Sequence, residues 1–315
     1  MATKPARERH VTPSERVGTR LDVALSASYP GTSRRKAREV IEKGQVTVDG
    51  ALALEAGRAV GAGAAIVWDP NRKALSRARL SLPRLYEDEH LLVVDKPAGL
   101  LSVPTSEVAA DEEDTVLARV AAYVQRLRPR APYVGRVHRL DRETSGALVV
   151  ALTPETRAGL IHLFREHRIE RAYEALVVGT PREDAGTVDA PIRDTWVRGR
   201  RGVARGDEPA SEARTRWRVV ERFGDAARLE IRLETGRQHQ IRAHLAHVGL
   251  PILGDRVYAR HGAWRGPTVA RPMLHACRLA FAHPATGSAI AVASPPPADF
   301  KEALDALRRR ARQRR

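Results

Sequence analysis

Residues 137–146 read VHRLDRETSG and run straight into the apolar stretch ALVVAL at 147–152. An unbroken apolar run of that length, opened by a small-residue turn, has the pattern of a fully buried strand. The loop in front of it therefore sits at the mouth of a buried sheet. It carries the carboxylate of Asp141 among His138, Arg139 and Arg142. A carboxylate surrounded by cations stays ionised and aimed, which suits a nucleophile better than a general acid. By spacing alone, the same residues serve equally well as an ion-paired loop that fixes where a strand begins.

Charge and length narrow the choice. The chain has 315 residues, enough for about two domains. Its 54 Lys+Arg against 38 Asp+Glu give a formal charge of +16. Much of the excess is arginine, which favours planar and phosphate recognition, so nucleic acid is the expected partner before an anionic membrane. No run approaches the eighteen or so apolar residues of a membrane span, and the first ten residues lack a signal-peptide core. The single cysteine, Cys277, excludes an intramolecular disulfide and a cysteine-clustered zinc site. A cytoplasmic protein is expected.

Along the chain, residues 1–14 are polar and unpatterned and are expected to be a disordered arm. Residues 15–69 form a small α/β unit. Leu21, Ala24 and Leu25 have helical spacing, and Ser33 is placed to cap a second helix that ends at Gly44. Ala37, Val40 and Ile41 share that helix's apolar face, while Arg34, Arg35, Lys36 and Arg38 make it densely basic. Gln45 to Val48 then alternates into an Asp49-Gly50 hairpin turn. Residues 70–84 are Pro-broken and basic, a linker. Residues 85–300 make the large domain, and 301–315 a solvated basic tail. Within the large domain, Val116, Leu117, Val120, Ala121, Val124 and Leu127 mark a helix, and Thr153-Pro154 opens another. Residues 171–178, 217–223 and 228–233 read as strands, and 198–206 as a mobile basic loop. A late helix carries Ile241, Leu245 and Val248 on one side and Gln238 and Arg242, four apart, on another. His239, His244 and His247 are spaced five and three apart with no acidic partner between them, which does not match a zinc helix. No Walker-type or dinucleotide fingerprint occurs either.

Two resemblances follow from these segments. The helix, basic helix and GQVTVDG over about residues 16–68 resemble the S4-like RNA-binding module. The motifs YEDEHLLVVDKPAGLLSVP, GRVHRLDRETSGALVVA, RAYEALVVG and TGRQHQIRAHLAHVGLPILGDRVY, in that order from about residue 85 to 300, resemble the RluA/RluD-type pseudouridine synthases. The resemblance implies an α+β fold: a mixed, mainly antiparallel sheet with surrounding helices and a basic cleft across its middle, plus a small N-terminal α/β S4-like domain. It implies isomerisation of uridine to its C5-glycoside in structured RNA, rRNA or tRNA, with no cofactor and no metal, and a monomer is expected. Asp141 is then the essential carboxylate, acting on C1′ or on the uracil ring. Arg242 is the arginine that pairs with it, and Tyr173 packs on the uracil and is implicated in removing the C5 proton. Arg139 helps fill the space left by the flipped nucleotide. His138, Arg139, Arg34, Arg35, Lys36 and Arg38 are the expected RNA contacts. Two rival readings are an inactive RNA-binding or ribosome-assembly factor, and an RNA-directed hydrolase. The hydrolase would want a second carboxylate or a metal, and neither is in the motifs.

Overall fold

In a computed structural model of the chain, helices α1 (Leu21–Ser28) and α2 (Arg34–Glu42) pack together. Ser33 opens α2 as its side chain accepts the Lys36 N–H at 3.2 Å, and Gly44 beyond its end takes φ +72°, a conformation cheap only for glycine. Four strands accompany the helices: β1 (Glu8–Val11), β2 (Val46–Val48), β3 (Ala51–Ala53) and β4 (Ala65–Trp68), in the order β1-β4-β2-β3. Leu21, Leu25, Val40, Ile41, Val46 and Ile66 fill their core. The structure describes residues 8–11, 18–49, 51–53, 56–57, 59–61, 63–70, 72, 82–105, 113–128, 132–197, 199–259 and 264–314.

One departure from the sequence reading belongs to this unit. Residues 8–11, placed in a disordered arm, pair antiparallel with β4, Glu8 opposite Trp68; the rest of the arm lies outside the described residues. Helix α3 (Val116–Leu127) is capped by Thr115, whose side chain accepts the Ala118 N–H. Residues 103–134 cluster with Met1–Leu82, and the second unit comprises Pro83–Ser102 and Gly135–Arg315. Most of the proposed linker lies outside the described residues, and its end, Arg84, already belongs to a strand.

The second unit is built on a ten-stranded sheet: β5 (Arg84–Glu87), β6 (Leu91–Lys96), β7 (Gly135–Arg136), β8 (Ser145–Ala151), β9 (Glu170–Val178), β10 (Ala185–Asp189), β13 (Arg214–Arg222), β14 (Ala226–Leu233), β15 (Leu274–Ala282) and β16 (Ala289–Ala293). A separate two-stranded ribbon joins β11 (Ile192–Arg193) to β12 (Ala210–Ser211). The main path runs β10-β13-β14-β9-β15-β8-β6-β5. Its pairings are antiparallel except that of β15 with β8, so the sheet is mixed and mainly antiparallel, as expected. Strand β8 is buried at every position, as an all-apolar strand must be. Gly146 at its start has φ +116°, and a Cβ there would lie 2.2 Å from the Ala276 carbonyl oxygen. Only glycine lets β8 come that close to β15 just after the Asp141 loop. Helices α4 (Pro154–Arg165), α5 (Gln240–His247) and α6 (Ala298–Gln313) complete the unit.

Helix α6 corrects the expectation of a solvated tail. Phe300, Ala303, Leu304 and Leu307 are buried against Leu176, Phe223 and Met273, and Arg308 and Arg310 pair with Glu221 and Asp225. The segment at 198–206, expected to be mobile, is tied down by bridges of Val197 with Arg200 and of Val203 with Ile192; Arg198 itself lies outside the described residues. Gln238 precedes α5, so it does not share a helical face with Arg242.

Candidate active site

The loop after β7 and the N-terminal end of α5 converge on one cleft of about 690 Å³ at the middle of the ten-stranded sheet. Two local devices aim α5. Gln240, at its first turn, uses Oε1 to accept from Thr235 and the Arg237 N–H, while its amide donates to Arg214 O and Thr215 Oγ1. His239, at the N-cap, adopts left-handed backbone with φ +59°. This places Arg242 one turn in, 8% exposed, with its guanidinium directed at Asp141.

Arg242 sits between two carboxylates. Its Nε and Nη2 donate to Asp255 Oδ2 and Oδ1 at 2.6 and 3.0 Å, a bidentate pair, and Nη1 donates to Asp141 Oδ2 at 3.3 Å. Burial pulls the guanidinium's pKa down, but Asp255 and then Asp141 outweigh it and hold the pKa above its ordinary value. Asp255 is fully buried, and its Oδ1 also accepts the N–H groups of Val257 and Tyr258. A planar fork fixed along one edge has little freedom in where its remaining corner points. Asp255 thus determines where Arg242 meets Asp141. His239 completes the surroundings, with Nε2 3.8 Å from Asp141 Oδ2 and Nδ1 3.1 Å from the Tyr258 hydroxyl.

Tyr173, on β9, lines the same cleft and is 7% exposed. Burial first, and Asp141's charge after it, push its pKa up to about 12 against the counter-pull of Arg171. It is therefore a neutral phenol at physiological pH. Lys96 supports the Asp141 loop from below. Its buried ammonium donates to Pro97 O, Leu100 O and Arg142 O at 2.7–3.0 Å, tying the K-P-A-G turn to the residue after Asp141. Ser102 does the same on the other side, exchanging hydrogen bonds with both backbone groups of Leu140.

The structure brings Asp141, Tyr173 and Arg242 together, with Arg139 exposed on the cleft wall and making no ion pair among the described residues. His138 departs from its expected role as a positive RNA contact. Its Nε2 accepts the Val149 N–H at 3.0 Å, its ring lies on Phe164, and burial, helped by Arg171, lowers its pKa to about 3. It braces the loop on β8 as a neutral ring. Arg34, Arg35, Lys36 and Arg38 lie in the N-terminal unit, all exposed. Arg34 and Arg38 gather with Arg20 around the fully buried Asp22, and Lys36 pairs with Glu39. Sequence reasoning missed Asp255, Tyr258 and the supporting role of Lys96. All three fall inside the quoted motifs, but nothing local indicates which distant group each one holds.

Comparison with known proteins identifies the family. Residues 90–247 match the RNA pseudouridylate synthase family and residues 19–66 the S4 domain. A ribosomal large subunit pseudouridine synthase D of Pseudomonas aeruginosa is 38% identical over 94% of this chain and 94% of its own length. The chain belongs to the RNA pseudouridylate synthase family. A second pseudouridine synthase D, from Xanthomonas campestris, is 37% identical over 95% of this chain and 92% of its own. Among solved structures, human RNA pseudouridylate synthase domain containing 4 superposes with a TM-score of 0.59 at 25% identity, covering 71% of this chain and 92% of that one. This pseudouridine synthase is thus an isomerase of RNA uridines with an N-terminal S4 domain. No helix among its described residues is long and apolar enough to cross a membrane.

Proposed function

We propose that this pseudouridine synthase modifies a uridine of large-subunit ribosomal RNA, with Asp141 as its essential carboxylate. The observation that carries the site assignment is the chain Asp255–Arg242–Asp141 at the floor of a cleft whose wall includes Arg136, Arg139, Arg165 and Arg237. The names of the two bacterial relatives described above support the choice of large-subunit RNA over tRNA.

The reaction breaks N1–C1′, turns the base over and forms C5–C1′, while the C5 proton leaves and N1 gains one. A carboxylate fixed beside the nucleoside can stabilise or trap charge at C1′, and Arg242 holds it there. Tyr173 presents a neutral ring for the uracil to pack on. As a phenol it takes up the C5 proton only if its own proton leaves at the same time. Neither C1′ nor C5 can be worked on within a stacked helix, so the nucleotide is flipped out at a cost of roughly a few kcal/mol. Exposed Arg139 is suited to the vacated space. Arg34, Arg35, Lys36 and Arg38 supply phosphate contacts from the S4 domain. The enzyme acts in the cytoplasm, as a monomer.

Mapping pseudouridine in total RNA from cells with and without the protein tests the substrate. Loss of a large-subunit rRNA site is expected. Loss confined to tRNA would overturn the substrate assignment, and an unchanged map would overturn the activity in the cell.

A further inference from the structure

Trp196 is a large aromatic residue left 46% exposed, with the His239 ring between it and the candidate catalytic carboxylate. Its ring meets His239 edge-to-face with centroids 5.2 Å apart, and His239 lies 3.8 Å from Asp141. The Arg201 guanidinium lies over the Trp196 ring at 5.9 Å. Arg201 makes no ion pair among the described residues.

The segment carrying Trp196 is anchored to the elements that build the site. Tyr258 donates its hydroxyl to Arg201 O at 2.6 Å, and Arg200 Nη1 donates to Val257 O at 3.3 Å. Val257 and Tyr258 in turn donate their N–H groups to Asp255, the residue that fixes Arg242. The exposed indole is therefore placed by the same framework that places Asp141's partner. Burying Trp196 would have been the simple way to stabilise this segment. Instead it stands open, backed by a cation, against His239, which lines the arginine-walled cleft.

We propose that Trp196 is a stacking platform for an unpaired nucleobase adjacent to the target uridine. The inference rests on the reading of the cleft as the RNA site. Every base has a π-face, so such a platform holds a splayed-out neighbour without specifying its sequence, and Arg201 behind the ring adds cation–π support and positive charge for nearby phosphates. Holding a neighbour outside the stack also helps keep the target nucleotide flipped.

The test compares two fluorescently labelled probes of equal length: a short oligouridylate, and an abasic strand with the same phosphates and no bases. Trp196→Ala is expected to weaken oligouridylate binding about tenfold and to leave abasic binding unchanged. Trp196→Phe should restore most of the lost affinity. Equal losses for both probes would make Trp196 a structural prop and overturn the proposal. Unchanged oligouridylate affinity, or no measurable oligouridylate binding by the wild-type protein, would also overturn it. The pseudouridine map is a separate readout, so failure of the RNA-modification reading is distinguishable from failure of stacking.

Discussion

Arg242 shows what one residue can and cannot reveal from sequence. That it would meet Asp141 followed from family resemblance, and the 3.3 Å contact is consistent with that. That it is clamped by Asp255 did not follow, because a pairing thirteen residues apart has no local signature. His138 shows the opposite failure. Its type suggested a cation, but charge at a histidine is decided by burial and partners, and here a backbone N–H occupies Nε2. If Asp255 positions Arg242, Asp255→Asn should leave RNA affinity within a few-fold of wild type. The asparagine Oδ1 can still accept the Val257 and Tyr258 N–H groups. The single-turnover rate should fall about a hundredfold, the usual scale for a small misplacement of a catalytic group. Rapid-quench assays with saturating enzyme measure this, and an unchanged rate would remove Asp255 from the site.

Among elements, those with local signals were legible. The caps at Ser33 and Thr153 each accept the N–H three residues on, as their positions before apolar-periodic runs indicated, and Thr115 does the same for α3. Strands β13 and β14 pair antiparallel with Trp217 opposite Ile231, close to where alternation put them. Helix α6 was missed although its signal was present. Phe300, Ala303, Leu304 and Leu307 follow the i, i+3, i+4, i+7 pattern, but the dense arginines after them read as a tail. Leu307, inside the stretch read as a tail, is 1% exposed, so Leu307→Ala should lower stability by roughly 2–5 kcal/mol in denaturant unfolding. A solvated tail would lose almost nothing. Arg271 connects this helix to the site, donating to Asp299 through Nε and Nη2 and to Glu143 O through Nη1.

At the scale of the molecule, two buried histidines and the half-buried His138 tie stability to pH. His244 and His275 each place one ring nitrogen against a carbonyl and the other against a hydroxyl, and His138 accepts from a backbone N–H. Burial lowers the pKa of all three, that of His138 from 6.5 to about 3. Below about pH 6.5 the unfolded chain takes up protons that the folded rings refuse, so acid favours unfolding. Stability should be intact above that pH and fall as pH drops toward the lowered values. Each group contributes at most about 1.4 kcal/mol per pH unit. Urea unfolding from pH 7 to pH 4 should show the decline, and His138→Gln should make it shallower. A variant as acid-sensitive as wild type would contradict the neutral assignment of His138.

The two units also differ in how much function they carry. Charge alone pointed to nucleic acid, and arginines gather both in the S4 domain and along the cleft. The proposed chemistry, however, converges on one carboxylate. The most direct measurement is pseudouridine formation by Asp141→Ala on an RNA that the wild-type enzyme modifies, with RNA binding measured on the same preparation. The expected result is binding retained and no pseudouridine above background. Pseudouridine formed at a rate near that of wild type would contradict the assignment of Asp141 as the essential group.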